Sequence, residues 1–284
     1  MLKTLLPVLL LFGLSEEHLS CEQCLLSGNH YCASSKHCKA LICRESITQI
    51  LNCPRSPNAT YNDHEARTKW LPLIGAGSTN ASQAQKCFDN HWPTMKLTKR
   101  FLVNCSDPNS VFPITECAAI TAVDESQGVL AMSFRATRGT LQLEEEILNY
   151  FVTKKRFFDV GNIFEFFYDA YLALWSGGLE KEIRSLKDQY PNYELWVTGH
   201  SLGAALASVG ASWVAKTNVF QPHAVRLFTV GQPRTGDYNY SLWHQRTFAY
   251  SFRVVHHHDV VPHLPFQYDV VEDDKMYHHR TEVW

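Results

Sequence analysis

The run Val197-Thr198-Gly199-His200-Ser201-Leu202-Gly203 constrains this chain more than any other stretch of its 284 residues. It fits G-x-S-x-G, the pattern of a nucleophile elbow, in which a strand ends, turns sharply at the serine and starts a helix. A side chain at Gly199 or Gly203 would collide with so tight a turn, which accounts for both glycines. The flanks agree. Glu194-Leu195-Trp196-Val197-Thr198 reads as a short buried strand, rich in β-branched and aromatic residues. Gly203, Ala207 and Ala211 recur every four residues, a small-residue stripe that lets a helix pack close against a sheet. Ser201 is therefore the candidate nucleophile.

An elbow of this kind implies an α/β fold of the α/β-hydrolase type, a mostly parallel central sheet with helices on both faces. In that fold the partners of the serine follow in the order acid, then histidine. Phe248 to Val255 reads as a later buried strand, and Asp259 follows it after His256-His257-His258. Asp237 precedes Tyr238-Asn239-Tyr240, where an aspartate caps a helix N-terminus, and Asp269, Asp273 and Asp274 lie in a charged, surface-like stretch. Asp259 is the candidate acid. Downstream of it, His263 is only four residues away and poorly placed to reach the serine. His278 and His279 are adjacent, so in an extended segment only one faces Ser201, and local chemistry does not separate them. One oxyanion-hole donor is expected from the N–H of the residue after the nucleophile, Leu202. The other is expected from the loop after an earlier strand, and Gly128 to Phe134 reads as that strand.

Three segments together resemble the fungal-type class 3 lipases, secreted α/β-hydrolases that act on acylglycerols. They are Val197 to Ala207, Gly231-Gln232-Pro233-Arg234-Thr235-Gly236-Asp237, and Asp259-Val260-Val261-Pro262-His263-Leu264-Pro265. The resemblance spans roughly residues 60–284. It implies Ser201 as nucleophile and Asp259 as acid. Counting back from Glu282 and Trp284 places His278 where the family carries its histidine. Thr137 takes the second oxyanion position, in Arg135-Ala136-Thr137. Ala136 stands where the family usually has glycine, and so does Arg280. The resemblance further implies that Leu141 to Phe151, whose Leu143, Ile147, Leu148 and Phe151 share a helical face opposite three glutamates, forms an interfacial lid. An ordinary amphipathic surface helix is the plainer reading of the same residues.

Composition fits an exported enzyme. With 26 basic and 28 acidic side chains the net charge is −2, which argues against nucleic acid or an anionic membrane as an electrostatic partner of the chain as a whole. Met1-Leu2-Lys3 and the apolar run from Leu5 to Phe12 read as a signal peptide over residues 1–15, and no later segment reaches transmembrane length. Of nine cysteines, six crowd between Cys21 and Cys53. Their spacing, with His30 and His37 nearby, admits a zinc reading, but in an exported chain a disulfide-stapled segment over 16–60 is expected. Cys105 and Cys117 flank a Pro/Asn/Ser loop and are expected partners. One thiol is left free or paired between chains. Asn58, Asn80, Asn104 and Asn239 open glycosylation sequons.

Residues 61–284 are then expected to form one hydrolase domain, in which Phe164 to Leu186 makes a core-facing aromatic helix. Consecutive histidines at 256–258 cannot all face one ion, so no metal site is expected there. The expected chemistry is secreted serine hydrolysis of lipid carboxylic esters through an acyl-enzyme, with no cofactor or metal, at a lipid–water interface. The alternatives are a phospholipase or short-chain esterase with the same triad, and a catalytically impaired lipid-binding relative.

Overall fold

The computed structural model describes residues 19–54, 59–105, 116–135, 153–266 and 275–284. The expected signal peptide, the lid segment, Thr137 and Asn58 lie outside these residues. The chain divides into two compact units at Ser56–Pro57, short of the expected boundary after residue 60. The reason is packing: Ala59 and Tyr61 join the second unit's core, with Tyr61 stacked on Phe228 at 6.4 Å.

The first unit has little apolar material. A helix, Cys21–Leu26, opens on a capping box in which Ser20 and Gln23 exchange side-chain and backbone hydrogen bonds. Strand His30–Cys32 lies between His37–Lys39 and Ser46–Ile47, antiparallel to both. Its core is mostly sulfur: Cys21, Cys24, Cys38 and Cys53 around Tyr31, with Leu19, Leu25 and Ile47 at the edge. The bridges Cys21–Cys53, Cys24–Cys38 and Cys32–Cys43 hold it. Each closes a loop of 11 to 32 residues, a constraint on the unfolded chain of about 3 kcal/mol.

The second unit is built on seven strands. They are β1 (Lys96–Asn104), β2 (Glu116–Asp124), β3 (Val129–Arg135), β4 (Glu194–His200), β5 (Val225–Val230), β6 (Tyr250–Val254) and β7 (Glu282–Val283). Their order across the sheet is β7-β6-β5-β4-β3-β2-β1. From β3 to β7 the neighbours run parallel, and β1 and β2 add an antiparallel edge. Cys105–Cys117 bridges the end of β1 to the start of β2.

Both faces of the sheet are covered, and alternation along the strands shows how. Ala131, Trp196, Phe228 and Phe252 point to a layer made with Trp70, Leu73, Ala76 and Phe88, contributed by and around helices Leu71–Gly77 and Ala81–His91. Met132, Leu195, Val197 and Leu227 point to the opposite layer, which holds Phe167, Tyr171, Leu206, Val209 and Trp213. Strands buried on both faces are apolar throughout rather than alternately polar.

The aromatic helix expected over 164–186 is two helices, Glu165–Leu174 and Glu180–Gln189, joined by a wide turn at Trp175–Leu179 with its kink at Gly178. Phe167, Tyr171 and Trp175 are buried as expected, whereas Leu172 is exposed.

Candidate active site

The site begins at the end of β4. Ser201 lies between His200, the last strand residue, and Leu202, the first residue of the 15-residue helix Leu202–Lys216. Its φ of 54° and ψ of −125° are strained for a side chain with a Cβ, at a cost of about 1–3 kcal/mol. The surroundings leave it no alternative. A Cβ on Gly199 would stand 2.2 Å from the Gly203 carbonyl oxygen, and one on Gly203 would stand 2.3 Å from the Phe134 oxygen on β3. The serine N–H donates to Val230 at 3.0 Å, tying the turn to the end of β5. Ser201 is 3% exposed. The Leu202 N–H belongs to the first helical turn, whose donors have no intrahelical acceptor, and the helix dipole there favours negative charge.

The candidate acid is held next to the same strand end. Asp259 lies in the turn after β6, where its Oδ1 accepts from the Val261 N–H at 3.0 Å. Its Oδ2 presses on Gly231, the residue after β5, so closely that a Cβ there would be 2.8 Å away. Val230 and Gly231 thus touch the Ser201 backbone on one side and the Asp259 carboxylate on the other. Asp237 instead caps helix Tyr238–Thr247, accepting from the Tyr240 N–H.

The two C-terminal histidines have different surroundings. His278 Nε2–H donates to the Pro262 carbonyl at 2.6 Å, in the Asp259 turn itself. Its Nδ1 is buried without a hydrogen-bond partner. Burial, with the Arg253 guanidinium nearby, holds this imidazole well below its ordinary pKa. The Asp259 carboxylate and the His278 ring are neighbours through this turn but are not hydrogen-bonded to each other. His279 is fully engaged elsewhere. Its Nε2 lies 3.0 Å from Ser208 Oγ and 3.1 Å from Gln232 Nε2, its Nδ1 lies 3.4 Å from Ser251 Oγ, and its ring stacks on His244 at 3.6 Å.

The His279 tautomer follows from these contacts. Thr235 Oγ1 donates to the Pro233 carbonyl, so it accepts from Gln232 Nε2. The second N–H of that amide then faces His279 Nε2, which must accept and leave the proton on Nδ1. Burial, followed by neighbouring His244 and Arg253, keeps His279 neutral. Arg253 itself is buried, donating to the His279 carbonyl at 2.7 Å and to Glu282 at 2.9 Å.

Gln232, Ser208, Ser251, His244 and Arg253 were not foreseen as site residues. Gln232 stood within the Gly231–Asp237 match without a role of its own, and Arg253 carried a signal as the one charged residue of the run 248–255. Histidines 256–258 occupy an exposed turn, and among the described residues no group of His, Cys, Asp and Glu is disposed to hold a metal ion. An open hollow of about 540 Å³ beside Asp259, lined also by His257, His258, His263 and Trp284, does not include Ser201 or His278.

The profile of the lipases of class 3 matches residues 131–269, a span that holds the elbow and Asp259 and ends before His278. A Caenorhabditis elegans lipase is 29% identical over 244 residues, covering 80% of this chain and 67% of the relative. A Rhizopus niveus lipase is 38% identical over 79 residues, covering 28% of this chain and 20% of its own. Among solved structures, the lipase of Rhizopus microsporus var. chinensis superposes with a TM-score of 0.60 at 22% identity, covering 73% of this chain and 70% of that one. A nonglycosylated Yarrowia lipolytica lipase gives 0.62 at 20% identity, covering 78% and 80%. With the elbow, the sheet order and the structural matches in agreement, the chain carries the α/β-hydrolase fold of these lipases, and its residues 131–269 are similar to the lipases of class 3.

Proposed function

We propose that this protein hydrolyses carboxylic esters of lipids, with Ser201 as nucleophile, His278 as base, Asp259 as the acid that orients it, and the Leu202 N–H with Thr137 receiving the oxyanion. The observation that carries this reading is the strained Ser201 at the N-terminus of a 15-residue helix. A hydroxyl held there meets a carbonyl carbon while the helix end stabilises the charge that develops on oxygen.

In the reaction His278 takes the Ser201 proton as the oxygen attacks the ester carbonyl, and the tetrahedral oxyanion rests on the Leu202 N–H. Collapse expels the alcohol, which receives the proton from the imidazolium, and water then releases the acid from the acyl-enzyme. For Asp259 to stabilise the imidazolium, the His278 ring must exchange its bond to the Pro262 carbonyl for one to the carboxylate. Such tightening on substrate binding is common in hydrolases whose resting site is loose. His278 is preferred to His279 because every polar atom of the latter is committed in the interior.

A rival reading, a lipid-binding relative without turnover, draws on the same Pro262–His278 bond. One experiment decides: a lipophilic fluorophosphonate should label the wild-type protein, and Ser201→Ala should abolish both labelling and ester hydrolysis. Absence of labelling in the folded wild type would favour the rival. Export is part of the proposal, supported by four disulfides. So is glycosylation at Asn80, Asn104 and Asn239, whose residues are exposed.

A further inference from the structure

The small unit has an exposed apolar tip that its fold does not need. Leu41 and Ile42 are 81% and 76% exposed. With Leu26, also in this unit, they are three of the four most exposed large hydrophobic residues among those described, the other being Trp284. The tip is tied down at both ends. Cys38 on one side is bridged to Cys24, and Cys43 on the other is bridged to Cys32. The Cys43 N–H also donates to Ser46 Oγ at 2.9 Å, and the Ser46 N–H returns a bond to the Cys43 carbonyl. Residues 39–42 are all exposed, as are Lys36 and Arg44. The apolar pair is thus flanked by cations on both sides, Lys36 and Lys39 before it and Arg44 after it.

We propose that this tip docks the protein on a lipid surface, with Leu41 and Ile42 inserted at the headgroup–acyl boundary and Lys36, Lys39 and Arg44 among the lipid phosphates. Aliphatic side chains gain by leaving water there, while long basic side chains keep their charged ends at headgroup level. Two aliphatic side chains fall far short of the roughly 800 Å² per partner that a stable protein interface requires. A lipid surface demands no shape complementarity and offers phosphate to the flanking cations. Disulfide clamps at both ends mean that little chain freedom is lost on insertion. The inference rests on the lipid-ester reading only for its purpose, because a hydrolase of aggregated lipid must first reside on the aggregate.

The test is co-sedimentation of the full chain carrying Ser201→Ala, which leaves the lipid intact, with mixed phosphatidylcholine–phosphatidylglycerol vesicles. Adding Leu41→Ser and Ile42→Ser should weaken binding about 100-fold, about tenfold for each side chain. Lys39→Gln with Arg44→Gln should weaken it several-fold on these vesicles and leave binding to pure phosphatidylcholine unchanged. In the chain with native Ser201, the Leu41/Ile42 double variant should hydrolyse a dissolved short-chain ester at the wild-type rate and an emulsion more slowly. Vesicle binding within twofold of the parent would overturn the proposal. So would a double variant that abolishes self-association, seen by sedimentation velocity, in a parent that does not bind vesicles; the tip would then be a contact between copies. Failure of the ester-hydrolysis reading would show separately, as absence of fluorophosphonate labelling with vesicle binding intact.

Discussion

The serine end and the histidine end of the candidate site are built by opposite means. Ser201 is held in place by backbone: two glycines that admit no Cβ, a strand that ends on a neighbour's carbonyl, and a helix whose small residues rest on β3. No side chain in the elbow needs a particular protonation state to keep it folded. The segment carrying His278 is held by side chains instead. Its strand, β7, has two residues, and the segment is secured by neutral His279, by stacked His244 and by the pairing of buried Arg253 with exposed Glu282. Geometry that rests on packed backbone is indifferent to pH. Geometry that rests on uncharged imidazoles depends on it.

Acid should break this contrast most forcefully. His244 is pushed down to about 3 by burial and by Arg253, and His278 and His279 are lowered in the same direction. All three are neutral in the fold and take up protons near pH 6.5 when it opens. Their contribution is therefore complete above about pH 6.5 and is lost as pH falls below it, at about 1.4 kcal/mol per pH unit for His244. For His244, held at about 3, the loss reaches about 2 kcal/mol by pH 5, and His278 and His279 act in the same direction. Hydrogen exchange followed against pH should show amides of 276–283 losing protection before those of β4 and the elbow helix. His244→Phe should reduce the slope by one proton. A stability flat from pH 7 to 5 would refute the account.

Chemistry separates the two ends next. His278→Ala should lower turnover on a dissolved ester by about 10³-fold, equivalent to about 4 kcal/mol. The melting temperature should fall as well, since the Pro262 carbonyl loses its bond from Nε2–H, so turnover is compared in a variant shown to be folded. A larger loss from His279→Ala, in a variant shown to be folded, would transfer the role of base.

The elbow should respond differently. Gly203→Ala sets a methyl against the Phe134 carbonyl, where both partners are backbone and neither can turn aside. A loss of about 3 kcal/mol or more is expected in chemical denaturation, uniform from pH 5 to 8. The smallest effect is expected for Ser208→Ala. It removes one hydroxyl from His279 Nε2 and from Tyr240, costing about 1 kcal/mol and altering turnover by a few-fold.

This division also explains how much was legible in the sequence. The elbow is a local device, and Gly199, Ser201 and Gly203 announce it within five residues; the strand before and the helix after carry their own periodicity. The candidate acid could be picked out because Asp259 follows a recognisable strand. The surroundings of the histidines were not. Whether His278 or His279 faces the site depends on Ser208, Gln232, Ser251 and His244, which all lie between 28 and 71 residues away from His279 in sequence. Nothing in the periodicity of those residues marks them as buried polar groups. The same limit applied to the cysteine cluster, where six cysteines admit about 15 pairings and only the folded strands select Cys21–Cys53, Cys24–Cys38 and Cys32–Cys43.

The ninth cysteine bears on the durability of those bridges. Cys87 is the free one, half-buried, with its thiol 3.5 Å from the Pro72 carbonyl and its pKa raised by burial. Exchange between sulfurs proceeds through the thiolate, and a thiol kept protonated is a poor attacker. The protein therefore carries an odd sulfur without an internal catalyst of scrambling, and its four bridges should keep their pairing through long exposure at neutral pH. Slow alkylation of this thiol at pH 7, accelerating steeply as the medium turns alkaline, is the behaviour that such chemical quiescence entails.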